Sequence, residues 1–326
     1  MATIKDVARE AKVGLATVSR VINNEKGVSE KTRQIVLNTI ERLQYIPNAS
    51  GRTLKTRKAG IIGLSVPDIS QKVYSMLASS ITGALAQEGY LLVVSNSQGN
   101  IHTQVTFIDM LKQNKLDGII MVSDNNLNKY IHDSMPIVSI DSEFAPNIPI
   151  VTSDNDMGGR LAAGYLIEHG CHKLGYLGPR LLIPSEVNKR WEAFCHVCQQ
   201  RKVEYCCFLT PYEHGEEMSV AQKFLEEHPD VDGIFTASDY MAYSLLKILK
   251  RDHRKIPEEV QVIGFDGIKM DDWSMEVDLT TIRQNITEMG RELVCLLLNR
   301  IDKPSEFSDV LQSKIPVELH IGVTTY

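Results

Sequence analysis

The sequence predicts a protein of the α + α/β class, in which a small helical head precedes a larger α/β body. Apolar residues recur at helical spacing within residues 3–43. From Gly60 onward, short β-branched runs alternate with helical segments, a pattern typical of parallel sheets covered by helices. The 326 residues suffice for two to three domains, because domains usually contain ~100–200 residues.

Composition excludes several classes of protein. With 23% charged and 43% hydrophobic residues, the chain is neither a disordered tail nor a disulfide-stapled miniprotein. Its longest apolar runs, such as residues 118–122 and 90–94, are far shorter than the ~18 residues that a membrane span needs. The N-terminus lacks the apolar segment of a secretion signal, so we expect a cytoplasmic protein. The six cysteines, with Cys206 and Cys207 adjacent, point to reduced thiols rather than a disulfide framework.

Charge is distributed unevenly along the chain. Residues 1–58 carry 12 Lys and Arg against 5 Asp and Glu, a net charge of +7, whereas the rest of the chain carries 23 against 36, a net charge of −13. Basic clusters attract phosphates and an acidic body repels them, so this asymmetry predicts a polyanionic partner for the head alone. A chance fluctuation in charge is the alternative.

Three helices are predicted in the head. Thr3 and Asp6 form a capping box for a first helix with apolar positions at Ile4, Val7, Ala8 and Ala11. A tight turn over residues 12–14 follows, in which Gly14 tolerates the backbone conformation that such turns often require. The second helix spans about residues 15–23 and buries Val18, Val21 and Ile22. Ser29 caps the third helix, whose apolar stripe is Ile35, Val36, Ile40 and Leu43.

Two short helices joined by such a turn are typical of a helix-turn-helix, whose second helix enters the DNA major groove with its N-terminal residues nearest the bases. Leu15, Ala16 and Arg20 are therefore the candidate base-reading residues, because arginine donates a fork to guanine and apolar groups contact thymine methyls. The hydrogen-bonding side chains of the same helix suit DNA phosphates, namely Thr17, Ser19 and Asn23. An ordinary three-helix bundle remains the alternative.

Four stretches of the head, residues 4–13 (IKDVAREAKV), 16–23 (ATVSRVIN), 28–33 (VSEKTR) and 45–49 (YIPNA), closely resemble the LacI/GalR family of bacterial transcription regulators. The resemblance implies a homodimer, or a dimer of dimers, that binds a pseudo-palindromic operator under the control of a small molecule. The Leu15-Ala16 pair is similar to the Met-Ala pair of the family's catabolite-control branch. Gly14 departs from the usual serine, whose cap is worth ~1 kcal/mol.

A short hinge helix is predicted after the head. Pro47 ends the third helix, and Asn48 can cap a helix over residues 49–56. Gly51 lowers the stability of this helix by ~1 kcal/mol and isolated helices below ~12 residues are marginal, so we expect it to be disordered alone. The resemblance implies a hinge that orders on operator DNA, lying in the minor groove with a leucine wedged between base pairs. The minor-groove candidates are Asn48, Ala49, Arg52 and Leu54. A plain linker with an exposed leucine is the alternative.

The body is predicted to contain strands at residues 61–66, 90–95, 118–122, 137–141, 174–177, 233–238 and 260–265, and helices at 76–88, 103–114, 156–169, 187–201, 217–228, 239–251 and 285–301. It resembles the periplasmic-binding-protein-like effector domain of the same family, which implies two lobes. The predicted domains are the helix-turn-helix (1–46), the hinge and linker (47–59) and an effector-binding and dimerisation domain (60–326). The latter divides into an N-lobe of about 60–157 plus 285–312 and a C-lobe of about 158–284 plus 313–326.

Candidate ligand-binding residues follow the strands of the body. Ligands of open α/β sheets lie beyond the carboxyl ends of strands, where Asp141 and Asp266 occur. The resemblance implies that Asp266 accepts hydrogen bonds from an effector and that Arg190 donates them. It adds Ser70, Val73, Tyr74, Asp154 and Ser238 as further effector positions, and it suggests an aromatic near His214. Helix capping explains Asp239 equally well, and Trp191 and Trp273 either line the cleft or pack elsewhere.

A transcription regulator, most simply a repressor, is the function that these features predict. The nucleotide-binding, nucleophile-elbow and zinc-protease motifs Gly-x-Gly-x-x-Gly, Gly-x-Ser-x-Gly and His-Glu-x-x-His do not occur. Cys195-x-x-Cys198 lacks a second ligand pair at zinc spacing. We therefore expect no catalytic residue, metal or cofactor. The expected partners are double-stranded operator DNA, a second copy of the chain and a small-molecule effector, a sugar or sugar derivative of unknown identity, with no membrane. An enzyme and a periplasmic sugar receptor are the alternatives. The absence of a heptad-repeat tail favours a dimer over a tetramer.

Overall fold

A computed structural model describes residues 2–45, 58–181, 183–212, 214–269, 277–303 and 312–326. The chain forms two compact units, Met1–Ala59 and Gly60–Tyr326. The predicted hinge residues Asn48, Ala49, Arg52 and Leu54 lie outside the described residues, and so does Trp273.

The first unit contains the three expected helices, α1 (Ile4–Glu10), α2 (Leu15–Ile22) and α3 (Glu30–Arg42). The capping box of α1 is present, since the Thr3 backbone N–H donates to Asp6 Oδ2 over 2.9 Å and the Asp6 N–H donates to Thr3 Oγ1 over 3.4 Å. Ser29 caps α3 by accepting from the Thr32 N–H over 3.2 Å. These caps satisfy amide groups that would otherwise lack a partner at the start of each helix.

The core of the first unit consists of Val7, Ala8, Ala11, Val18, Val21 and Val36. Two expectations for this unit were wrong. Ile35 is 44% exposed, because the buried stripe of α3 runs through Val36 and Thr39 and Ile35 points to one side of it. Gly14 has an ordinary φ of −68°, and the left-handed residue of the turn is Lys12, with φ 53°.

The second unit is built on two six-stranded sheets. The first sheet has the order β11-β5-β4-β3-β1-β2, with all its strands parallel. Its strands are β1 (Ile61–Val66), β2 (Leu91–Asn96), β3 (Gly118–Met121), β4 (Ile137–Ile140), β5 (Ile150–Ser153) and β11 (Gln312–Ile315). Strands β3 and β4 are buried along their whole length, and β1 is buried after Ile61, as expected for a sheet covered on both faces.

The second sheet has the order β12-β10-β9-β8-β6-β7, and only its edge strand β12 runs antiparallel among the described strands. Its strands are β6 (Lys173–Gly178), β7 (Glu204–Leu209), β8 (Gly233–Thr236), β9 (Gln261–Asp266), β10 (Thr281–Gln284) and β12 (Val317–His320). Each sheet with its helices forms one lobe. The parallel sheets expected from the alternating pattern are thus confirmed.

Seven α-helices cover the two sheets in the described part of the second unit: α4 (Lys72–Gln87), α5 (Ile101–Lys112), α6 (Asn155–Glu168), α7 (Lys189–Arg201), α8 (Glu217–Glu227), α9 (Asp239–Arg251) and α10 (Ile286–Asp302). A 3₁₀ turn, Glu186–Asn188, precedes α7. Helix α10 packs on the first sheet, where Leu293 and Leu297 join its core. The N-lobe therefore contains a helix that is distant in sequence.

Within the described residues, the chain crosses between the lobes at three places, between β5 and α6, between β10 and α10, and between β11 and β12. The last crossing lies later than predicted. Residues 313–315 belong to the N-lobe sheet, because Gln312–Ile315 pairs with Ile150–Ser153 in parallel register. The break falls at Pro316, which separates the two strands.

Candidate DNA-binding face and ligand cleft

Helix α2 presents one accessible face. Val18 and Val21 anchor the helix in the core of the first unit, whereas Leu15, Ala16 and Arg20 are exposed, with 45% of Leu15 accessible. Gly14 is the N-cap and supplies no side-chain hydrogen bond. The three predicted base-reading residues thus lie on the surface, at or within two turns of the N-terminus of α2.

The predicted phosphate-binding residues lie beside this face. Thr17 and Ser19 are half-buried and Asn23 is exposed. Asn23 Nδ2 donates to Ser19 Oγ over 3.4 Å. Their hydroxyl and amide groups remain near the surface, where groups of this kind position a helix on a DNA backbone without reading its sequence.

Asp266 ends β9 and is only 8% exposed. Gln284 Nε2 donates to its Oδ1 over 2.7 Å, and its backbone has φ 120°, a region that residues other than glycine rarely adopt. Burial raises the pKa of Asp266 to about 6, although Arg190 and the hydrogen bond from Gln284 oppose the shift. A strained and desolvated carboxylate at a strand end is typical of a binding site.

Two further carboxylates come from the N-lobe. Asp141 follows β4 with φ 60° and accepts from Thr152 Oγ1 over 2.5 Å. Burial raises its pKa, and Arg190 opposes this. Asp124 follows β3, and its pKa is also raised, first by desolvation and then by the charge of Asp141. The two acids therefore lie close together at the carboxyl ends of neighbouring strands.

Arg190 lies in the first turn of α7 and is 6% exposed. Its Nε donates to Asn155 Oδ1 over 2.7 Å, and one terminal nitrogen donates to the Ala237 carbonyl over 2.6 Å. The guanidinium carbon lies 3.6 Å from the centre of the Phe265 ring. Hydrogen bonds and cation–π stacking thus fix the position of this cation before any ligand arrives.

Tyr74 shows that the two lobes contribute to one cleft. Burial raises the pKa of its phenol, and the charges of Asp124, Asp141 and Asp266 raise it further while Arg190 lowers it. Asp124 and Asp141 follow strands of the N-lobe, Asp266 and Arg190 belong to the C-lobe, and all four charges act on this one hydroxyl. Tyr74, Asp141, Arg190 and Asp266, which were predicted as effector residues from separate segments, are thus brought together.

The other predicted effector residues have structural partners. Asp154 caps α6 by accepting from the Met157 N–H over 3.0 Å, and Ser238 caps α9 by accepting from the Met241 N–H over 3.3 Å. Ser70 donates its hydroxyl to Asp68 over 2.8 Å, and Val73 packs on the N-lobe core. These contacts place the four residues on the helix starts and the loop that border the cleft.

Asp239 stabilises the loop that follows β9. It is fully buried, accepts from Thr281 Oγ1 over 2.6 Å and accepts from the Ile268 N–H over 2.7 Å. Burial and the charge of Asp266 raise its pKa well above the ordinary value. Because both carboxylate oxygens are occupied, Asp239 acts as a brace for the loop after β9, and Ser238 is the helix cap.

Tyr212, Tyr240 and His214 line the outer part of the cleft. Tyr212 follows β7, hydrogen-bonds with Ser238 and lies within electrostatic reach of Asp266 and Arg190. The His214 ring meets the Tyr240 ring edge-on, with 4.9 Å between centroids. Tyr212 and Tyr240 were not predicted from the sequence. The sequence feature that could have identified them is an aromatic residue a few positions after a strand. The strand before Tyr212 was itself not predicted.

Contacts join the lobes at the mouth of this cleft. Tyr240, on the C-lobe, accepts from the Lys72 N–H of the N-lobe over 3.1 Å, and Lys72 Nζ donates to the Lys269 carbonyl over 2.6 Å. His214 Nδ1 lies 2.8 Å from Glu217 Oε1. Two hydrogen bonds of Lys72 thus join the N-lobe to the C-lobe, whereas the contact between His214 and Glu217 lies within the C-lobe.

The chemistry of the cleft is that of recognition. Carboxylates that accept, one arginine that donates and aromatic rings that offer flat apolar faces are the groups that bind hydroxyl-rich molecules. Among the described residues, no cluster of His, Cys, Asp and Glu could hold a metal ion. No helix of the described part of the chain is long and apolar enough to cross a membrane.

Comparison with known proteins agrees with this arrangement. Residues 3–48 match the family described as bacterial regulatory proteins, lacI family, and residues 163–325 match the periplasmic binding protein-like domain. The ribose operon repressor of Halalkalibacterium halodurans is 34% identical over 327 residues, which cover 100% of this chain and 97% of the relative. The sucrose operon repressor of Streptococcus mutans is 35% identical over 328 residues, covering 99% of each.

Solved structures show the same fold. The lac repressor dimer bound to operator and the anti-inducer ONPF superimposes with a TM-score of 0.85, at 23% identity and with 99% of both chains covered. A LacI-family regulator from Enterococcus faecium with bound ribose gives a TM-score of 0.69, at 24% identity, covering 81% of this chain and 98% of that one. The predicted fold is confirmed. The chain belongs to the lacI family of bacterial regulatory proteins and is a DNA-binding transcription regulator rather than an enzyme.

Proposed function

We propose that this regulator is a cytoplasmic repressor whose cleft binds a neutral, hydroxyl-rich sugar and whose affinity for operator DNA changes when the sugar binds. We expect the cleft to bind a small-molecule effector and the protein to need no cofactor. Two sites with different chemistry support the proposal: the exposed face of α2 that carries Leu15, Ala16 and Arg20, and the cleft between the lobes, whose Asp266 and Arg190 are buried.

The net negative charge of the cleft is the observation that favours a neutral ligand over an anionic one. The charges of Asp124, Asp141 and Asp266 raise the pKa of the Tyr74 hydroxyl, and the guanidinium of Arg190 lowers it. A phosphorylated or carboxylated ligand would meet three acids and one base, and burying an unpaired anion in such a site is costly. A neutral sugar instead donates hydroxyl hydrogens to the carboxylates and accepts from Arg190.

The names of the relatives narrow the sugar class. Ribose and sucrose operon repressors match over nearly the whole chain, and a related structure contains bound ribose. D-Ribose is therefore the first ligand to test, with sucrose second. The negative comparison is ribose 5-phosphate, which has the same ring and a dianionic group.

Exposed apolar residues on one edge of the N-lobe support self-association. Leu91 is 71% exposed on the edge strand β2, and Val93, Val94 and Met76 are also exposed. Apolar side chains on an uncovered strand edge are a typical protein interface. We propose that a second copy of the chain covers them in the homodimer, which allows two copies of α2 to read a pseudo-palindromic operator.

Isothermal titration calorimetry of the full-length protein with D-ribose, sucrose and ribose 5-phosphate tests the ligand class. We expect binding of a neutral sugar, no binding of the phosphate and loss of sugar binding in Asp266→Ala. Asp156→Ala is the matched control, because Asp156 is an acid on α6 whose partner is Arg160. Strong binding of ribose 5-phosphate would contradict the neutral-ligand proposal.

The control of DNA binding requires a second experiment. Fluorescence anisotropy with an operator selected from random DNA gives the dissociation constant with and without saturating sugar. Linkage requires that operator DNA change the affinity for sugar by the same factor. Asp266→Ala should bind operator normally and lose the response. An operator affinity that saturating sugar leaves unchanged would contradict control by that ligand.

A further inference from the structure

Two cysteines of the C-lobe lie in direct contact. Cys195, on α7, and Cys207, on the edge strand β7, have sulfur atoms 3.0 Å apart. Both side chains are half-buried and pack against the same apolar cluster. Cys206, the neighbour of Cys207, packs against a different cluster on the opposite face of β7. The alternation of the strand thus selects one partner for Cys195.

The two thiols differ in acidity. A hydrogen bond from Cys207 lowers the pKa of Cys195, whereas the same hydrogen bond and burial raise the pKa of Cys207. Burial raises the pKa of Cys198 to about 12 and that of Cys206 to about 11. Since the thiolate is the nucleophile in thiol chemistry, Cys195 is the reactive member of this group.

We propose that Cys195 and Cys207 form a thiol modification site, which a low-molecular-weight disulfide of the oxidised-glutathione type converts to an intramolecular disulfide. The Cys195 thiolate attacks one sulfur of the reagent, forms a mixed disulfide and releases one thiolate. The Cys207 thiolate then attacks Cys195 Sγ and releases the second thiolate. Two protein thiols are oxidised and one reagent disulfide is reduced to two thiols, so atoms and electrons balance.

The position of the pair gives the disulfide a structural consequence. Arg190 lies on α7, five residues before Cys195, and Tyr212 follows β7, five residues after Cys207. A disulfide bond is ~2.05 Å long, so the two sulfur atoms, now 3.0 Å apart, must move closer when it forms. Oxidation therefore joins the two segments that place Arg190 and Tyr212 in the cleft.

The test uses full-length protein incubated with oxidised or reduced glutathione, then alkylated and digested for peptide mass spectrometry. We expect a linked peptide containing Cys195 and Cys207 after oxidation, reversed by dithiothreitol. In Cys207→Ser, Cys195 should keep a glutathione adduct because no resolving thiol is present. The matched controls Cys206→Ser and Cys198→Ser should still form the linked peptide.

Thermal unfolding provides an independent readout. Cross-linking two points 12 residues apart constrains the unfolded chain, and we expect the melting temperature of the oxidised protein to rise by ~5 °C. The proposal is overturned if Cys195 and Cys207 are alkylated equally in both treatments, if Cys198 or Cys206 replaces one of them in the linked peptide, or if oxidation lowers the melting temperature.

Discussion

Asp266 illustrates at the scale of one residue how a binding group costs stability. Its carboxylate is buried, its backbone is in a left-handed region, and its pKa is raised to about 6. Each of these features is unfavourable for the folded chain and useful for a ligand that donates hydrogen bonds. We therefore expect a more stable protein when the charge is removed.

Asp266→Asn should raise the free energy of unfolding at pH 7 by about 2–3 kcal/mol, because a shift of roughly two pKa units corresponds to that amount. The folded pKa is higher than the unfolded one, so the wild-type folded state takes up a proton first as the pH falls. Wild type therefore gains stability between about pH 6 and pH 4 relative to Asp266→Asn. Urea unfolding across this range measures the difference. A variant less stable than wild type at pH 7 would contradict it.

Protonation of Asp266 should also weaken the binding of the ligand. Below about pH 6, protonated Asp266 loses an acceptor site, so the affinity for D-ribose should fall as the pH decreases from 7 to 5. Calorimetry at several pH values measures this, with operator binding by the same samples as the reference. An affinity for ribose that rises toward pH 5 would exclude ionised Asp266 as the acceptor.

Arg20→Ala should weaken binding to the selected operator by about 1–3 kcal/mol and relax the preference for one base pair. The side chain is exposed on α2 and carries the guanidinium fork that suits guanine. Anisotropy with operators changed at single positions measures the effect. Arg42→Ala is the control, because Arg42 lies on α3 and pairs with Glu10 over 2.8 Å. Equal losses in the two variants would argue against base reading.

At the scale of elements, the close packing of α6 and α7 positions Arg190. A Cβ atom on Gly159 would lie 2.2 Å from the Arg190 carbonyl oxygen and 3.0 Å from the Ala193 side chain. Only a residue without a side chain fits between these helices. The absence of a side chain at Gly159 on α6 thus allows α7, which carries Arg190, to pack closely against α6.

Gly159→Ala should therefore destabilise the protein and weaken ribose binding together, since α7 must move away to relieve a backbone clash. Gly164→Ala is the matched control on the same helix. Its added Cβ meets nothing within 4 Å, so it should stabilise by about 0.5–1 kcal/mol. Thermal unfolding and calorimetry of both variants make the comparison. Normal ribose affinity in a folded Gly159→Ala protein would show that α7 need not be fixed.

Elements with strong local patterns were predictable and elements defined by distant contacts were not. The β-branched runs of β1, β3 and β9 and the caps of α1 and α3 were found from sequence. Strands β5, β10 and β11 contain four residues each, with Thr, Ser, Gln and Lys among them, and sheet pairing rather than periodicity makes them strands.

The same distinction holds in the cleft. Asp266 and Arg190 occur in recognisable family positions, so the sequence predicts them as ligand residues. Asn155 holds Arg190 across 35 residues of sequence, and Gln284 holds Asp266 across 18. No short sequence motif can indicate pairs of residues that lie so far apart in the chain. The supporting residues become visible only when the fold brings their segments together.

At the scale of the whole molecule, the basic residues 1–58 and the acidic remainder predict two different responses to salt. Operator binding should weaken on the order of 10³-fold between ~50 and ~200 mM salt, because phosphate contacts release counterions. Binding of a neutral sugar should change little. Parallel anisotropy and calorimetry measurements test this. Operator affinity that is independent of salt would contradict DNA binding through the basic segment.

The three crossings between the lobes limit how the cleft can move. Three connecting segments side by side form a hinge. They resist twisting and sliding of one lobe against the other but allow bending about one axis. Gln284, at one crossing, contacts both Ser153, at another, and Asp266, with distances of 2.5 and 2.7 Å. A ligand that engages Asp266 therefore acts directly on the bending axis. A substitution at Gln284 should leave the protein able to bind both the sugar and operator DNA, but it should remove the effect of one ligand on the affinity for the other.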